Sequence, residues 1–321
     1  MSRPVVILIP CYRCEATVAE TLESIQNQGS ALNEVQRVIL ADDGSRDGTA
    51  AIARAAWRSP VPLEILDRRL NCGEYASVNN AVEHFAEGTG WFLIMHGDNI
   101  AKPGWLQNFL DRIEKATDDI GLIGSSYDSF RDEGVVRPGE NEPSDRIVTV
   151  PGTRKAVADT LRMGCWWHIS SCAIRVDTYL RVGGLPKVMQ LKGDWDFMLR
   201  VLADGWTIEH IPRSFMLYRD NPTGSSSITF RRHMDIWETI AVIGRFHWAL
   251  NHSSLLRIHA YYFWTLVRRS ARALLQLNIV RLFWIFPAMG CLTASYVSCC
   301  LDRAQGIDVL PRRTVARAET A

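Results

Sequence analysis

The sequence of 321 residues lacks a strong net charge, a long apolar run near its start and the glycine-rich nucleotide motifs. Its 36 Lys and Arg against 35 Asp and Glu give a net charge of +1, which argues against a nucleic-acid partner held by bulk charge. G-x-G-x-x-G and G-x-x-x-x-G-K-[ST] are both absent, which disfavours dinucleotide and P-loop sites. The opening apolar run is too short for a signal peptide, so we expect a cytoplasmic protein.

The eight cysteines also lack the spacing of a metal site. Cys11 and Cys14 form a C-x-x-C pair, but no second pair follows at zinc spacing, so we expect eight reduced thiols. Hydrophobic residues make up 47% of the chain and charged residues 22%. This composition permits a sizeable core and argues against global disorder.

What the first hundred residues do contain is an alternation of short apolar runs with helical patterns. The mainly apolar segments that predict buried strands are residues 5–9, 35–41, 63–66 and 91–95. Thr17 opens a capping-box pattern for the first helix. Strands that alternate with helices predict right-handed crossovers. The expected fold class is α/β, with a mostly parallel twisted sheet flanked by helices.

Polar side chains stand where these strands end. They are Asp42, Asp43, Asp67, Arg68, Asp98 and Asn99. Parallel strands share one carboxyl-terminal edge, where open sheets bind ligands, so these side chains should converge there. Clustered carboxylates need a cation or a bound ligand to offset their repulsion. Asp98 and Asn99 offer the hard oxygens that Mg²⁺ or Mn²⁺ prefer, although a strand-end Asp that only caps the next turn is the alternative.

The order and spacing of several motifs resemble those of a family 2 glycosyltransferase of the GT-A fold. The matching pieces are VVILIPCY at 5–12, DDGSRDGT at 42–49, NCG at 71–73 with Asn79, GDN at 97–99, PGWL at 103–106, GGLP at 183–186, GDWDFMLR at 193–200 and YR at 218–219. The resemblance covers residues 4 to about 230. It implies an inverting, metal-dependent transfer of a sugar from a nucleotide-sugar, most simply a UDP-sugar.

The resemblance also implies roles for individual residues. Asp43 would contact the nucleotide base, and Asp98 would bind Mn²⁺ or Mg²⁺ on the diphosphate. His96 replaces the first Asp of the family's D-x-D motif; it could hydrogen-bond a ribose or be only a strand-end residue. Arg219 can pair with phosphate. The full implied nucleotide-binding set is Pro10, Tyr12, Asp42, Asp43, Gly73, His96, Gly97 and Arg219.

The general base is assigned through the family's E-D pair, which reads Gly193-Asp194 in this chain. The resemblance implies that Asp194 takes the acceptor proton, while the metal offsets charge on the leaving diphosphate. An Asp at a helix start also suits the helix dipole, so a purely structural Asp194 is the alternative. Asp196 is the reserve candidate, with a structural role expected.

Two further segments allow two interpretations each. Trp166, Trp167 and His168 could form an aromatic wall for a sugar or lipid acceptor, but core packing is favoured. The tract at 223–227 could be a lid over the diphosphate or an inter-domain linker. In the family that loop usually carries a His, where this chain has Asn221.

The region after the tract changes in composition. No acidic residue occurs between Glu238 and Asp302, and arginines alternate there with aromatics, a pattern that suits an anionic membrane surface. Residues 282–301 are uncharged and nearly long enough to span a bilayer, but Pro287 and Gly290 favour an interfacial or re-entrant helix pair. The alternative is a helical appendage packed on the catalytic domain or in a dimer.

The predicted organisation is a catalytic domain at 1–230, a basic, aromatic-rich helical segment at 231–301 and a flexible polar tail at 302–321. The predicted function is sugar transfer to a glycan or lipid-linked acceptor, in polysaccharide or glycoconjugate synthesis. The protein is expected to be peripheral at the inner face of the cell membrane, with no nucleic-acid partner. The alternatives are transfer to a polyprenyl phosphate and a sugar-nucleotide-binding scaffold without turnover.

Overall fold

The computed structural model describes residues 4–131, 134, 136–137, 146–221 and 234–305. The strands are β1 (Val5–Cys11), β2 (Val35–Asp42), β3 (Leu63–Asp67), β4 (Trp91–Ile94), β5 (Ile100–Ala101), β6 (Ile120–Phe130), β7 (Val136–Arg137), β8 (Val148–Val150), β9 (Cys172–Arg175) and β10 (Thr207–Arg219). The helices are α1 (Val18–Gln26), α2 (Thr49–Ala56), α3 (Glu74–Phe85), α4 (Trp105–Lys115), α5 (Arg154–Met163), α6 (Val176–Arg181), α7 (Gly193–Ala203), α8 (Met234–Phe246), α9 (His252–Leu275) and α10 (Ile279–Ala304).

All these strands belong to one sheet with the order β3-β2-β1-β4-β9-β6-β10-β5, and β7 and β8 pair with β6 and β10. The pairs β3–β2, β2–β1 and β1–β4 are parallel, as is β6–β10. The structure therefore confirms the predicted α/β class. One feature is not predicted by the alternation of strands and helices in the sequence: β9 runs antiparallel to both β4 and β6.

The sheet is buried on both faces, which is why its central strands are continuous apolar runs. Every residue of β1 is buried. Side chains that alternate along β1 divide between two hydrophobic clusters: Val6 and Leu8 pack toward α3 and α7, whereas Ile7 and Ile9 pack toward α1 and α4. The two clusters fix the carboxyl-terminal edge of the sheet, from which the site residues project.

The first helix begins where the sequence predicts, but the capping-box prediction is wrong. Thr17 precedes α1 and makes no side-chain cap hydrogen bond. Its hydroxyl instead donates to the carbonyl oxygen of Gly97, 2.9 Å away. The loop after β4 lies against the start of α1 and offers this carbonyl acceptor. Thr17 thus ties α1 to the residue that precedes Asp98.

Helix α8 packs into the main core, across the predicted domain boundary at residue 230. Val242, Ile243 and Phe246 join the cluster that also contains the buried face of α7. The division into domains stays a prediction, but the hydrophobic packing is continuous across it. The predicted tail also starts later than expected, because Asp302 still belongs to α10; residues 306–321 lie outside the described part of the chain.

Helices α9 and α10 form a hairpin with a large exposed apolar face. Its exposed side chains include Leu256, Tyr261, Phe263, Trp264, Leu274, Leu275, Leu277, Ile279, Phe283, Trp284, Phe286, Val297 and Leu301. The part of α10 from Leu282 to Ala304 is long and apolar enough, by length and composition, to cross a membrane, and 22% of its apolar window is buried.

Candidate active site

The residues predicted to bind a nucleotide lie at the carboxyl-terminal edge of the sheet. The carbonyl of Pro10 accepts a hydrogen bond from the N–H of Gly97 at 3.1 Å, which joins the ends of β1 and β4. Tyr12 is exposed, with the Arg13 guanidinium 5.1 Å from its ring centroid. Asp42 is buried, and its Oδ1 accepts from the N–H of Ser45. Asp42 therefore shapes the turn that follows β2.

Asp43 holds the loop that leads into α3. Its carboxylate accepts from the N–H of Cys72 at 3.0 Å and from the N–H of Gly73 at 2.8 Å. The Arg68 guanidinium, 4.0 Å away, lines a cavity of about 250 Å³ between β2, β3 and α3. Gly73 has a φ of +88°, a backbone conformation that L side chains rarely adopt. This turn places Glu74 and Tyr75, the first residues of α3, beside His96 and Asp194, in a region we call the cleft.

His96 lies beside a carboxylate that the sequence did not single out. Its Nε2 is 3.1 Å from the Glu74 carboxylate, and its ring centroid is 6.1 Å from that of His168. Burial opposes a charged imidazole, but Glu74 outweighs it and raises the pKa of His96 to about 9. Burial and the His96 charge lower the pKa of His168 to about 3. A cationic His96 therefore faces a neutral His168 at neutral pH.

Asp98 stands at the same edge, with Arg219 beside it. The Nε of Arg219 donates to the backbone carbonyl of Asp98 at 2.9 Å. The guanidinium also pairs with Glu20 and lies 4.5 Å from the Phe130 ring centroid. Burial raises the pKa of the Asp98 carboxyl, and the nearby His96 charge partly offsets this. A carboxylate destabilised by burial gains from a cation, so Asp98 fits the predicted metal role.

Asp194 is the second residue of α7, where its carboxylate faces the start of α3. The hydroxyl of Tyr75 donates to its Oδ1 at 3.0 Å. Burial raises the pKa of Asp194 to about 6, although hydrogen bonds from its own backbone and from Tyr75 lower it. A carboxyl that ionises near neutral pH matches the requirement for a general base.

Asp196 has a different environment from Asp194. It is fully buried, its Oδ2 accepts from the Nε of Arg200 at 2.8 Å, and its Oδ1 accepts from Arg245 at 2.5 Å. Both oxygens are thus used in ion pairs, one within α7 and one that connects α7 with α8. These contacts favour the structural role expected for Asp196.

The loop before α7 is held by Glu238, a buried carboxylate on α8. Its two oxygens accept from the backbone N–H groups of Gln190, Leu191 and Lys192 at 2.8, 2.8 and 2.7 Å. Three donors on one carboxylate fix this loop strongly, since hydrogen bonds to a charged acceptor are stronger than neutral ones. Helix α8 therefore positions the approach to Asp194.

The aromatic segment divides between core and cleft. Trp167 is only 4% exposed and stacks on Phe197 in the core, which agrees with the favoured packing interpretation. The His168 ring instead lies 5.0 Å from the rings of both Tyr127 and Tyr218, near the cleft. The tract at 223–227, predicted as a lid or linker, lies outside the described residues.

The sequence interpretation missed Glu20, Glu74, Tyr75 and Glu238. Each touches a predicted site residue or its loop only through the tertiary fold. One available signal was the position of Glu74 and Tyr75 directly after the motif at 71–73. For Glu238 the only signal was its place as the last acidic residue before a long acid-free stretch.

Comparison with known proteins identifies the family. The model of the family described as Glycosyl transferase family 2 matches residues 6–176, more than half of the chain. This chain belongs to glycosyl transferase family 2. The glycosyltransferase is 33% identical, over 233 residues, to the Bacillus subtilis (strain 168) protein named "Putative glycosyltransferase EpsE", with 71% of this chain and 77% of that one covered.

Two other relatives are matched over a shorter part. An uncharacterized glycosyltransferase of Haemophilus influenzae is 31% identical over 38% of this chain. The undecaprenyl-phosphate 4-deoxy-4-formamido-L-arabinose transferase of Pseudomonas paraeruginosa is 28% identical over 39% of it. The chain spans 36% of the length of each of these two proteins.

Solved structures share the fold. Staphylococcus aureus TarS 1–349 in complex with UDP-GlcNAc superposes with a TM-score of 0.58 at 14% identity, covering 94% of this enzyme and 92% of that chain. The mannosyltransferase PcManGT of Pyrobaculum calidifontis, in complex with GDP-Man and Mn²⁺, gives a TM-score of 0.55 at 15% identity, covering 95% and 88%. The fold expected from the sequence, a GT-A-type sheet with a C-terminal helical region, is confirmed.

Proposed function

We propose that this glycosyltransferase moves a sugar, with inversion, from a nucleotide-sugar to a glycan or lipid-linked acceptor at the inner surface of the cell membrane. The observation that carries the proposal is the position of two carboxylates, Asp98 and Asp194, near His96. Asp98, in the turn after β4, and Asp194, on α7, both raise the pKa of His96 through their charge. One stands beside Arg219 and the other beside Tyr75, as separate donor and acceptor positions require.

A nucleotide-sugar donor fits the edge formed by β1, β2 and β4. Arg68, 4.0 Å from Asp43, lines a cavity beside β2 and β3, and we infer that the base binds there. Arg219 provides a guanidinium for a diphosphate. Related folds carry UDP-GlcNAc and GDP-Man, and a UDP-sugar is the first candidate for this enzyme.

The metal would be held jointly by protein and donor. The described residues contain no group of three or more His, Cys, Asp or Glu that could hold an ion alone. Asp98 would therefore be joined by diphosphate oxygens, an arrangement in which Mg²⁺ commonly binds. When bound, Mn²⁺ or Mg²⁺ would stabilise the charge that develops on the leaving nucleoside diphosphate.

The protein's own residues account for the remaining chemistry. Asp194, with its pKa of about 6, is ionised near neutral pH and can accept the proton of an acceptor hydroxyl. The His96 cation, paired with Glu74, adds positive charge between the two carboxylates. No covalent nucleophile is required for a single inverting displacement.

The acceptor side is proposed from the exposed apolar hairpin α9–α10 and from the relatives. The Pseudomonas paraeruginosa relative is named for transfer to undecaprenyl phosphate, so a polyprenyl phosphate is the second candidate acceptor. Of the arginines in this region, Arg245 and Arg269 pair with Asp196 and Asp235. Three other arginines are exposed, and we expect them to contact an anionic membrane surface: Arg257, Arg268 and Arg272.

Replacement of Asp98 by alanine tests the donor and metal assignments. We expect UDP with Mn²⁺ to raise the melting temperature of the wild-type enzyme, since a ligand at 100 times its Kd adds about 2.7 kcal/mol to the unfolding free energy. Asp98→Ala should lose the Mn²⁺-dependent part of that gain. Asp111→Ala, which alters an exposed carboxylate on α4, is the control. An unchanged Mn²⁺-dependent shift in Asp98→Ala would refute the metal assignment.

Vesicle binding tests the membrane proposal. The enzyme should bind vesicles that contain an anionic phospholipid, and binding should weaken as salt rises from about 0.05 to 0.5 M because the charge attraction is screened. The double variant Trp264→Ser/Phe283→Ser should bind much less, since it removes two exposed aromatics. Val188→Ser, at an exposed apolar residue outside the hairpin, is the control. Equal sedimentation of all three proteins with vesicles would contradict the proposal.

A further inference from the structure

Residue 193 has no side chain, and an aromatic ring fills the space. A Cβ built on Gly193 would lie 2.0 Å from Cε2 of Tyr75 and 2.5 Å from its Cζ. The φ of Gly193 is not positive, so packing rather than backbone conformation requires glycine here. The ring of Tyr75 therefore occupies the space beside residue 193 at the start of α7, directly before Asp194.

This packing brings the Tyr75 hydroxyl to the carboxylate of Asp194. The donor–acceptor distance is 3.0 Å, and the side chain of Tyr75 is 7% exposed. Burial, and then the charge of Asp194, raise the pKa of Tyr75 far above its usual value. The hydroxyl therefore keeps its proton and donates throughout the pH range in which proteins are assayed.

We propose that Tyr75, seated on Gly193, is the positioning residue for Asp194: its hydroxyl orients the carboxylate and stabilises its ionised form. The inference rests on the proposed role of Asp194 as general base. Tyr75 touches neither donor nor acceptor in this proposal and acts through Asp194. Its contribution is to keep Asp194 ionised in a cleft where burial favours the neutral acid.

The other groups around Asp194 do not supply the same contact. Glu74, from α3, opposes ionisation of Asp194 through its charge, and His96, after β4, favours it through its own. Desolvation of the thiol groups, and then the charge of Asp194, raise the pKa values of Cys165 and Cys172, so both thiols stay neutral. Among the described residues, Tyr75 is the side chain that donates directly to Asp194.

The test is the titration of Asp194 in the full-length protein, followed by carboxyl ¹³C NMR. The Asp194 signal is the one missing from Asp194→Asn. Wild type should titrate near pH 6, and Tyr75→Phe should titrate about one pH unit higher, because it loses a hydrogen bond to the ionised form. The acid limb of the pH profile of kcat/KM for donor turnover should shift to higher pH by the same amount, since activity requires ionised Asp194. The donor KM should not change.

Two further variants separate positioning from general loss of stability. Gly193→Ala should reproduce the upward shift, because its methyl group displaces the Tyr75 ring. Tyr179→Phe removes another buried tyrosine hydroxyl, one that donates to Asn79, and should leave the Asp194 titration in place. An Asp194 titration that is unchanged in Tyr75→Phe overturns the proposal.

Failure of the inference is distinguishable from failure of the proposed function. If Asp194→Asn still transfers sugar, the general-base assignment is wrong, whatever the titration shows. If Asp194→Asn is inactive but Tyr75→Phe keeps the wild-type pH profile, only the positioning role is wrong. If Tyr75→Phe weakens binding of UDP instead of shifting the profile, Tyr75 contacts the donor and the proposal also falls.

Discussion

Asp194→Asn is expected to lower the rate of sugar transfer by about 10²–10⁴-fold, the usual contribution of general acid–base catalysis. An amide cannot accept the acceptor proton, but its oxygen can still accept the hydrogen bond from Tyr75. The site should therefore keep its shape, and UDP binding should be unchanged. The measurement is kcat for transfer together with calorimetric binding of UDP in the presence of Mn²⁺.

The matched control for this prediction is Asp177→Asn. Asp177 is exposed and is the second residue of α6, as Asp194 is the second residue of α7. If Asp194 served only the helix start, both variants should lose a few tenths of a kcal/mol of stability and keep activity. Near-native sugar transfer by Asp194→Asn would refute the assignment of Asp194 as the general base. A loss of activity in both variants would show that the effect arises from reduced stability.

Ending the chain at residue 233 is expected to abolish cooperative folding. The deletion removes Phe246 and Trp248, buried in the main cluster, and loss of one large buried aromatic side chain alone costs about 3–5 kcal/mol. It also removes Glu238, so that three backbone N–H groups before α7 lose their acceptor. With a typical stability of about 5–15 kcal/mol, these losses suffice to unfold the rest.

Circular dichroism during heating measures this second prediction. A chain ending at residue 305 keeps all of α8, α9 and α10 and should melt at the temperature of the full-length protein. If the chain ending at residue 233 melts cooperatively at that temperature and binds UDP, the catalytic unit ends before α8. The hydrophobic packing across residue 230 would then be dispensable.

Much of the fold could be predicted because its signals are local. The run at 5–9 is apolar throughout and the run at 35–41 is apolar from residue 38 on, as buried parallel strands require, and each is followed by a helical pattern. The antiparallel β9 could not be predicted in the same way, since its pairing with β4 and β6 joins segments far apart in sequence. Strand direction depends on such long-range pairing, which periodicity does not report.

The site was predictable where a residue's position along a strand fixes its place. Asp98 follows β4, so its arrival at the sheet edge follows from topology. Glu74 and Glu238 lie on helices and reach their partners through tertiary contacts. No local sequence pattern predicts how those helices pack against the rest of the fold. The helix that carries Asp194 is predicted by the sequence. The hydrogen bond from Tyr75 to Asp194 is not, because that bond depends on the space left free at Gly193.

The close contact of Gly97 with the end of β1 has a consequence for how the site can evolve. A Cβ at residue 97 would lie 2.8 Å from the Cβ of Cys11, and every amino acid except glycine carries a Cβ. Shrinking Cys11 to alanine would therefore give no relief, so a substitution at 97 would need a second change to glycine at the buried position 11. Such paired steps are rare. We therefore expect residue 97, beside Asp98, to stay glycine.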